Sequence, residues 1–357
     1  MAKPPSCHIP PAPCGILDRV QSYDALLVVS FGGPEKPEDV IPFLENVTRG
    51  RNVPRERLEE VAQNYYLLGG RSPINDQCRE LIAAVEREFA AHAIRLPVYW
   101  GNRNWHPFLE DTMRRMAADG VRRALVFVTS AYSSYSGCRQ YREDIERARA
   151  AVGPAAPECE KLRHFFELPG FREPLAAHLR AAFEQIPADR RAAARLFFTA
   201  HSIPVAMART CRYEAQLRET AAWVAAAAGR PEWELVWQSR SGPPHQPWLE
   251  PDIGDALEAA ARSGARDAVV QPIGFISGHM EVIVDLDVQA RRRAESCGLN
   301  MVRAATVGAH PQFAAMIREL VEERLRGEWT GVRCLPEGCC PSPQMLAAAA
   351  RPVMPGA

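Results

Sequence analysis

Three short segments of this chain combine residue types that can do chemistry. FFTAHSIP (Phe197 to Pro204) ends an apolar run on His201. GFISGHMEVIVDLD (Gly274 to Asp287) follows another apolar run and carries His279, Glu281 and Asp285. CLPEGCC (Cys334 to Cys340) gathers Cys334, Cys339 and Cys340 near the C-terminus. An imidazole facing a carboxylate suits a site that takes protons from a weak acid and handles a divalent metal. Glu281 and Asp285 are four residues apart, so a helix starting there sets them on one face, which Gln289 extends. Asp287 faces elsewhere and reads as an acid favoured by the dipole near a helix start. Glu281 is followed by Val282, Ile283 and Val284, which predicts half-burial. A carboxylate desolvated beside a histidine can accept a proton near neutral pH. A lone histidine ending a strand is more often a satisfied turn residue. Its place at a carboxyl end makes it a candidate, because α/β sites are built there.

The elements that must position these residues are legible as alternation. Strand-like apolar runs at 25–31, 98–102, 124–130, 195–202, 234–239, 267–275 and 301–306 are separated by helical patterns. These patterns lie at 74–91, 107–118, 137–150, 171–185, 207–228, 252–263, 280–296 and 310–326. Strands alternating with helices imply βαβ units and a mainly parallel sheet. The alternation runs twice, with a break near Gly153 to Pro157. The expected fold is therefore α/β: two similar doubly wound parallel-sheet domains, 23–158 and 159–327, flanking one cleft. A Pro-rich leader over 1–22 and a Cys/Pro-rich tail over 328–357 complete the chain.

Composition narrows the function classes. Of 357 residues, 47% are hydrophobic and 24% charged, enough for an ample core, and the formal net charge is zero. No basic surplus points to nucleic acid, no apolar run approaches a bilayer span, and the leader lacks a signal-peptide core. A cytoplasmic protein is expected. Ten cysteines are many for a reducing compartment, so clustered ones suggest metal ligation. Cys78, Cys138, Cys211 and Cys297 stand singly in helical stretches and read as structural.

Other strand-end loops supply candidate lining. FGGPEKPEDV (Phe31 to Val40) has no GxGxxG or GKS/T pattern, so it reads as a turn lining a flat ligand rather than a phosphate loop. Tyr132, in the stretch from Ser130 to Ile145, is a candidate pocket residue. Arg49 and Arg51 suit anionic substituents, although an arginine pair is more often a solvated surface feature.

Together, LLVVSFGGPEKPEDVIPFLENVTRGR (26–51), GGRSPIN (69–75), YWGNRNWHPF (99–108), FFTAHSIP and GFISGHMEVIVDLD resemble the ferrochelatase family, in family order, over residues 24–327. The phrasing is most similar to the monoderm, actinobacterial branch, whose substrate is coproporphyrin III. The resemblance implies a lyase that inserts Fe(II) into a porphyrin held between two doubly wound domains, with haem biosynthesis as its setting. Iron is then a substrate, and porphyrin, haem product and other haem-pathway enzymes are the expected partners. Carried over, His201 matches the family histidine and Glu281 the carboxylate facing it, one taking the pyrrole proton and the other holding the metal. Asp285 continues an acidic file. Phe31 lies against the ring, and Arg49, Arg51 and Ser72 address propionates. Departures stand at Gly278, where the family commonly has Asp, at Gln289, often Glu, and at Val284, commonly Tyr. Glu35 stands near where some members place a haem-ligating tyrosine. Some members also hold a [2Fe–2S] cluster, which would here use Cys159, Cys334, Cys339 and Cys340. A zinc site or an untethered tail are the alternatives. Competing readings are a protoporphyrin IX ferrochelatase, a sirohydrochlorin-type chelatase, or a non-catalytic protein that binds haem or an iron–sulfur cluster.

Overall fold

The computed structural model describes residues 22–242, 245–328 and Cys340. Among them, β1 (Ala25–Ser30), β2 (Val98–Asn102), β3 (Arg123–Val128) and β4 (Glu158–Lys161) form a parallel sheet in the order β2-β1-β3-β4. The strands β5 (Arg195–His201), β6 (Glu234–Gln238), β7 (Asp267–Gln271) and β8 (Asn300–Arg303) form a second in the order β6-β5-β7-β8. All pairings are parallel, and the two halves repeat one topology. Each sheet is covered on both faces, which is why β1 and β7 are buried throughout and apolar at their centres.

The observed strands stop short of most of the apolar runs that announced them. The residues left over at the carboxyl ends, including Phe31, Ser202 and Ser239, become the loops that face the cleft. The strand β4 was not expected. Its sequence, ECEK, is polar because it is an edge strand, and it lies across the 158/159 boundary placed between the halves. The first sheet thus extends to Lys161. The helix Arg55–Tyr66, equally unannounced, pairs with the helix Val40–Val47. Of the expected leader and tail, only Ser22, Glu328 and Cys340 fall within the described residues.

Side-chain alternation sorts the core into faces. Ala25, Leu27 and Val29 of β1 point to the outer helices Leu109–Ala118 and Gln140–Val152. Leu26 and Val28 point inward, into a core that also receives Phe198 and Ala200 of β5 and Phe313 of the last helix, Pro311–Leu325. That helix packs on both Ile74–Ala91 and Pro169–Glu184, one from each half. The two sheets therefore share one apolar interior. No helix among the described residues is long and apolar enough to cross a membrane.

Candidate functional site

His201 is the last residue of β5, and its register partner Gln238 is the last of β6. The amide of Ser202 donates to the Gln238 carbonyl at 2.8 Å, and the Tyr213 hydroxyl donates to the His201 carbonyl at 3.1 Å. The backbone carrying the imidazole is thus held on two sides. His201 Nδ1 lies 2.5 Å from the carbonyl oxygen of Ser202. A carbonyl only accepts, so in the neutral ring Nδ1 holds the hydrogen and Nε2 keeps its lone pair. That nitrogen faces Oε1 of Glu281 at 3.9 Å, with the two side chains 32% and 39% exposed. Both are reachable, which a group meant to meet a ligand must be.

Glu281 lies in the segment Met280–Ser296, which is wound as a π-helix over Ile283–Ala290. His279 caps its start, Nδ1 accepting from the Glu281 amide at 3.2 Å. Burial pushes the His279 imidazole below its usual value; Glu281 opposes this and His201 adds to it. His279 is thereby kept neutral, as a cap that accepts must be.

Asp285 Oδ2 receives the Ser239 hydroxyl and, at 3.3 Å, Gln238 Nε2. Burial, with the Glu281 charge adding to it, outweighs those bonds and the nearby His201, and pushes Asp285 up to about 6. A carboxyl raised in the folded state favours folding when protonated. Ionising it therefore costs stability as pH rises from the unfolded value of 3.8 to about 6, and the cost is constant above. Asp285→Asn should be more stable than the parent by about 2–3 kcal/mol at pH 7.5, with the difference closing below about pH 4. Denaturant unfolding at the two pH values measures it, and a difference independent of pH would contradict the burial argument.

The first half supplies the opposite wall. Gln77 Nε2 donates to the Gly278 carbonyl at 3.2 Å. Phe43 and Tyr65, from the helix pair Val40–Val47 and Arg55–Tyr66, cluster with Met280 and Val284. Burial first, then the Glu281 charge, pushes the Tyr65 phenol up. Phe31 is half-buried, edge-on to Phe43 at 6.2 Å, with the Arg103 guanidinium 5.8 Å from its ring centroid.

The other residues expected at a ligand divide. Arg49 and Arg51 are exposed just past Val40–Val47, where Arg49 bonds Asn46. Ser72 is 4% exposed; its amide donates to the Pro34 carbonyl and its hydroxyl accepts from the Ile74 amide at 3.5 Å. Tyr132 is 2% exposed and donates to the Ile273 carbonyl at 3.0 Å, joining the halves from inside the core. Ser72 and Tyr132 therefore serve the frame rather than line an open surface. Among the departures, Gln289 is exposed and Val284 is packed in the wall. A Cβ at Gly278 would meet only the Gln77 amide, at 3.8 Å. Burial alone would raise Glu35, but hydrogen bonds from Arg79 and Asn75 hold its carboxyl below the usual range.

Cys159 sits half-buried on β4, its Sγ 3.6 Å from the Pro157 carbonyl, and burial pushes the thiol up to about 12. Cys340 is buried, with φ of +50°. Cys334 and Cys339 lie outside the described residues. No group of three or more His, Cys, Asp or Glu side chains gathers as a metal site among the described residues. His201 and Glu281 meet, while Asp285 is bonded to Gln238 and Ser239. Of the single cysteines, Cys78 and Cys138 are buried, Cys211 partly so, and Cys297 is exposed. Gln238, Ser239, Tyr65 and Gln77 were not singled out from sequence. For the first two the signal was available, since Gln-Ser ends the run ELVWQS as His201 ends its own.

A sequence model of the ferrochelatase family matches residues 23–325. A coproporphyrin III ferrochelatase of Nocardia farcinica is 54% identical over 352 residues, covering 92% of this chain and 100% of the relative. One of Streptomyces coelicolor is 50% identical over 366 residues, covering 94% and 96%. A ferrochelatase of Rhodopirellula baltica is 51% identical over 336 residues, covering 91% and 95%. Among solved structures, a multi-domain protein of Deinococcus radiodurans described as similar to chelatases has 16% identity and a TM-score of 0.51. It covers 84% of this chain and 55% of its own, a likeness of fold alone. With the match running from β1 through the last helix, and with relatives of this identity along nearly their whole length, the chain belongs to the ferrochelatase family, lyases that place ferrous iron in a porphyrin.

Proposed function

We propose that this ferrochelatase acts on coproporphyrin III, giving its iron chelate on the way to haem b, in the cytoplasm and beside other haem-pathway enzymes. The observation that carries the reading is the His201–Glu281 pair, 3.9 Å apart with both side chains accessible. Insertion replaces two pyrrole hydrogens by one Fe(II) with no change of oxidation state, so the protein must take protons and strip water from a cation. His201 Nε2 has the free lone pair and accepts a pyrrole proton. Glu281 stands on its other side to bind iron or take the proton onward, and Asp285, at about 6, can hold a proton near neutral pH. Phe31 packs against the ring. Arg49 and Arg51, exposed and cationic, suit a porphyrin richer in propionates. The names of the relatives from Nocardia farcinica and Streptomyces coelicolor support the same substrate.

An anaerobic insertion assay with coproporphyrin III and protoporphyrin IX tests this. Faster metallation of coproporphyrin III supports the reading, and preference for protoporphyrin IX overturns the substrate. Gly278 and Gln289 thin the acidic file and favour a non-catalytic binder. In that case both rings would bind and neither would take iron.

For Cys159, Cys334, Cys339 and Cys340 the proposal is a [2Fe–2S] cluster. Two observations fit the donor set. Cys159 lies on an edge strand, where a tail can reach it, and Cys340, at φ of +50°, has the sharply bent backbone that helps adjacent cysteines turn toward one site. Four thiolates there would supply a covalent tie between tail and sheet rather than chemistry on the porphyrin. With its thiol held up to about 12, Cys159 ionises only on binding metal. Cys159→Ser should lack visible iron–sulfur absorption, and an undiminished spectrum sinks this assignment.

A further inference from the structure

Gln238 is 1% exposed, yet it bonds both the strand end that carries His201 and the segment that carries Glu281 and Asp285. Its main-chain carbonyl receives the Ser202 amide, one residue past His201. Its side-chain Nε2 lies 3.4 Å from the main-chain carbonyl of Glu281 and 3.3 Å from Oδ2 of Asp285. A side-chain amide nitrogen carries two hydrogens, and here each has its own acceptor. This orientation satisfies both acceptors, whereas the opposite one would set the amide oxygen against the Glu281 carbonyl. Both acceptors belong to the segment that is wound as a π-helix from Ile283, so the amide holds its first turns at two points. Ser239 follows with φ of +60° and adds its hydroxyl to the same Asp285 oxygen. The end of β6 thus grips the acidic helix and the histidine strand at once.

We propose that Gln238 is the positioning residue of the iron path, setting Glu281 and Asp285 in register with each other and with His201. The proposal rests on the reading that these acids handle the incoming metal. No apolar side chain of the same length reproduces the two bonds, and a shorter amide reaches fewer acceptors. The consequence is selective. Loss of the amide disturbs the use of iron and leaves the porphyrin-facing groups of the first half, Phe31 among them, where they are.

The test is steady-state insertion by the full chain, with Fe(II) and coproporphyrin III varied separately, for Gln238→Met and Gln238→Asn. The Met variant keeps length and packing; the Asn variant keeps the amide, should Met fold poorly. The expected result is a fall of about 10–100-fold in kcat/KM for Fe(II), smaller for Asn, with the porphyrin KM unchanged. Wild-type kcat/KM for Fe(II) in both variants overturns the proposal. So does an equal rise in both KM values, which is what a merely structural role gives. Glu281→Gln, run in parallel, separates the two levels of argument. If it retains full activity, the reading of the acids fails, whereas loss of its activity beside an unaffected Gln238→Met leaves that reading intact and removes only the role of Gln238.

Discussion

His201→Ala should lower the rate of iron insertion by about 10²–10⁴-fold, the range for a positioned acid or base, while porphyrin still binds. Pyrrole N–H groups are very weak acids, so a base within reach of the ring is needed even when the macrocycle is distorted. Of the two histidines at this site, only His201 offers a bare nitrogen toward the accessible carboxylate. Nδ1 of His279 is occupied by the Glu281 amide, and burial holds that ring neutral. The change is also local. Tyr213 and Gln238 hold the main chain of this strand end, through the His201 carbonyl and the Ser202 amide, and the imidazole is only half-buried. Single-turnover metallation under anaerobic conditions, with porphyrin fluorescence quenching to report binding, reads both quantities. A rate within a factor of a few of the parent would remove His201 from the chemistry.

The second large effect is on stability. Phe171→Ala should cost about 3–5 kcal/mol, as large-to-small changes of fully buried aromatics do. Its ring is 0% exposed and packs against Phe165 at 5.4 Å, Phe313 at 6.0 Å and Tyr132 at 6.2 Å. Those partners come from the loop after β4, the last helix and the loop after β3, so no single element can collapse into the space. By contrast, the exposed pair Arg57–Glu60, with side chains 56% and 64% exposed, contributes at most about 1 kcal/mol. Denaturant unfolding distinguishes them. A loss below about 1 kcal/mol for Phe171→Ala would mean that the two sheets do not share an interior.

Sequence alone revealed the architecture well, because two layers of helices on a parallel sheet leave long apolar runs and 3.6-residue stripes. The helix Ile74–Ala91 appears at its expected bounds, and seven of the eight strands follow the runs that announced them. The strand β4 escaped because an edge strand has one neighbour, and ECEK carries no apolar signal. At the site, His201 and Glu281 stood out by type and by position after a strand. Tyr132 and Ser72 are buried and bonded to backbone groups, which sequence does not reveal, because a hydroxyl in a strand-end loop looks the same whether it meets a ligand or a backbone group. Gln238 also ends an apolar run, as His201 does, but an amide there is chemically quieter than an imidazole and draws less notice. Its part emerges only once the β6 end and the acidic helix are seen together.

The shared interior also determines how the cleft can move. Rings run in contact from Phe127 on β3 through Phe165, Phe171, Tyr132 and Tyr213 to Trp237 on β6. Swinging one half from the other would pull that chain apart and expose apolar surface at about 25 cal/mol per Å². The helix pair Val40–Val47 and Arg55–Tyr66 is held by a smaller cluster of its own, completed by Met280 and Val284 from the facing wall. It can shift at far lower cost. In mechanical terms the molecule is a stiff frame with one compliant jaw. With a porphyrin in this cleft, as proposed above, the frame would resist any force on the ring and the helix pair would be the part that yields.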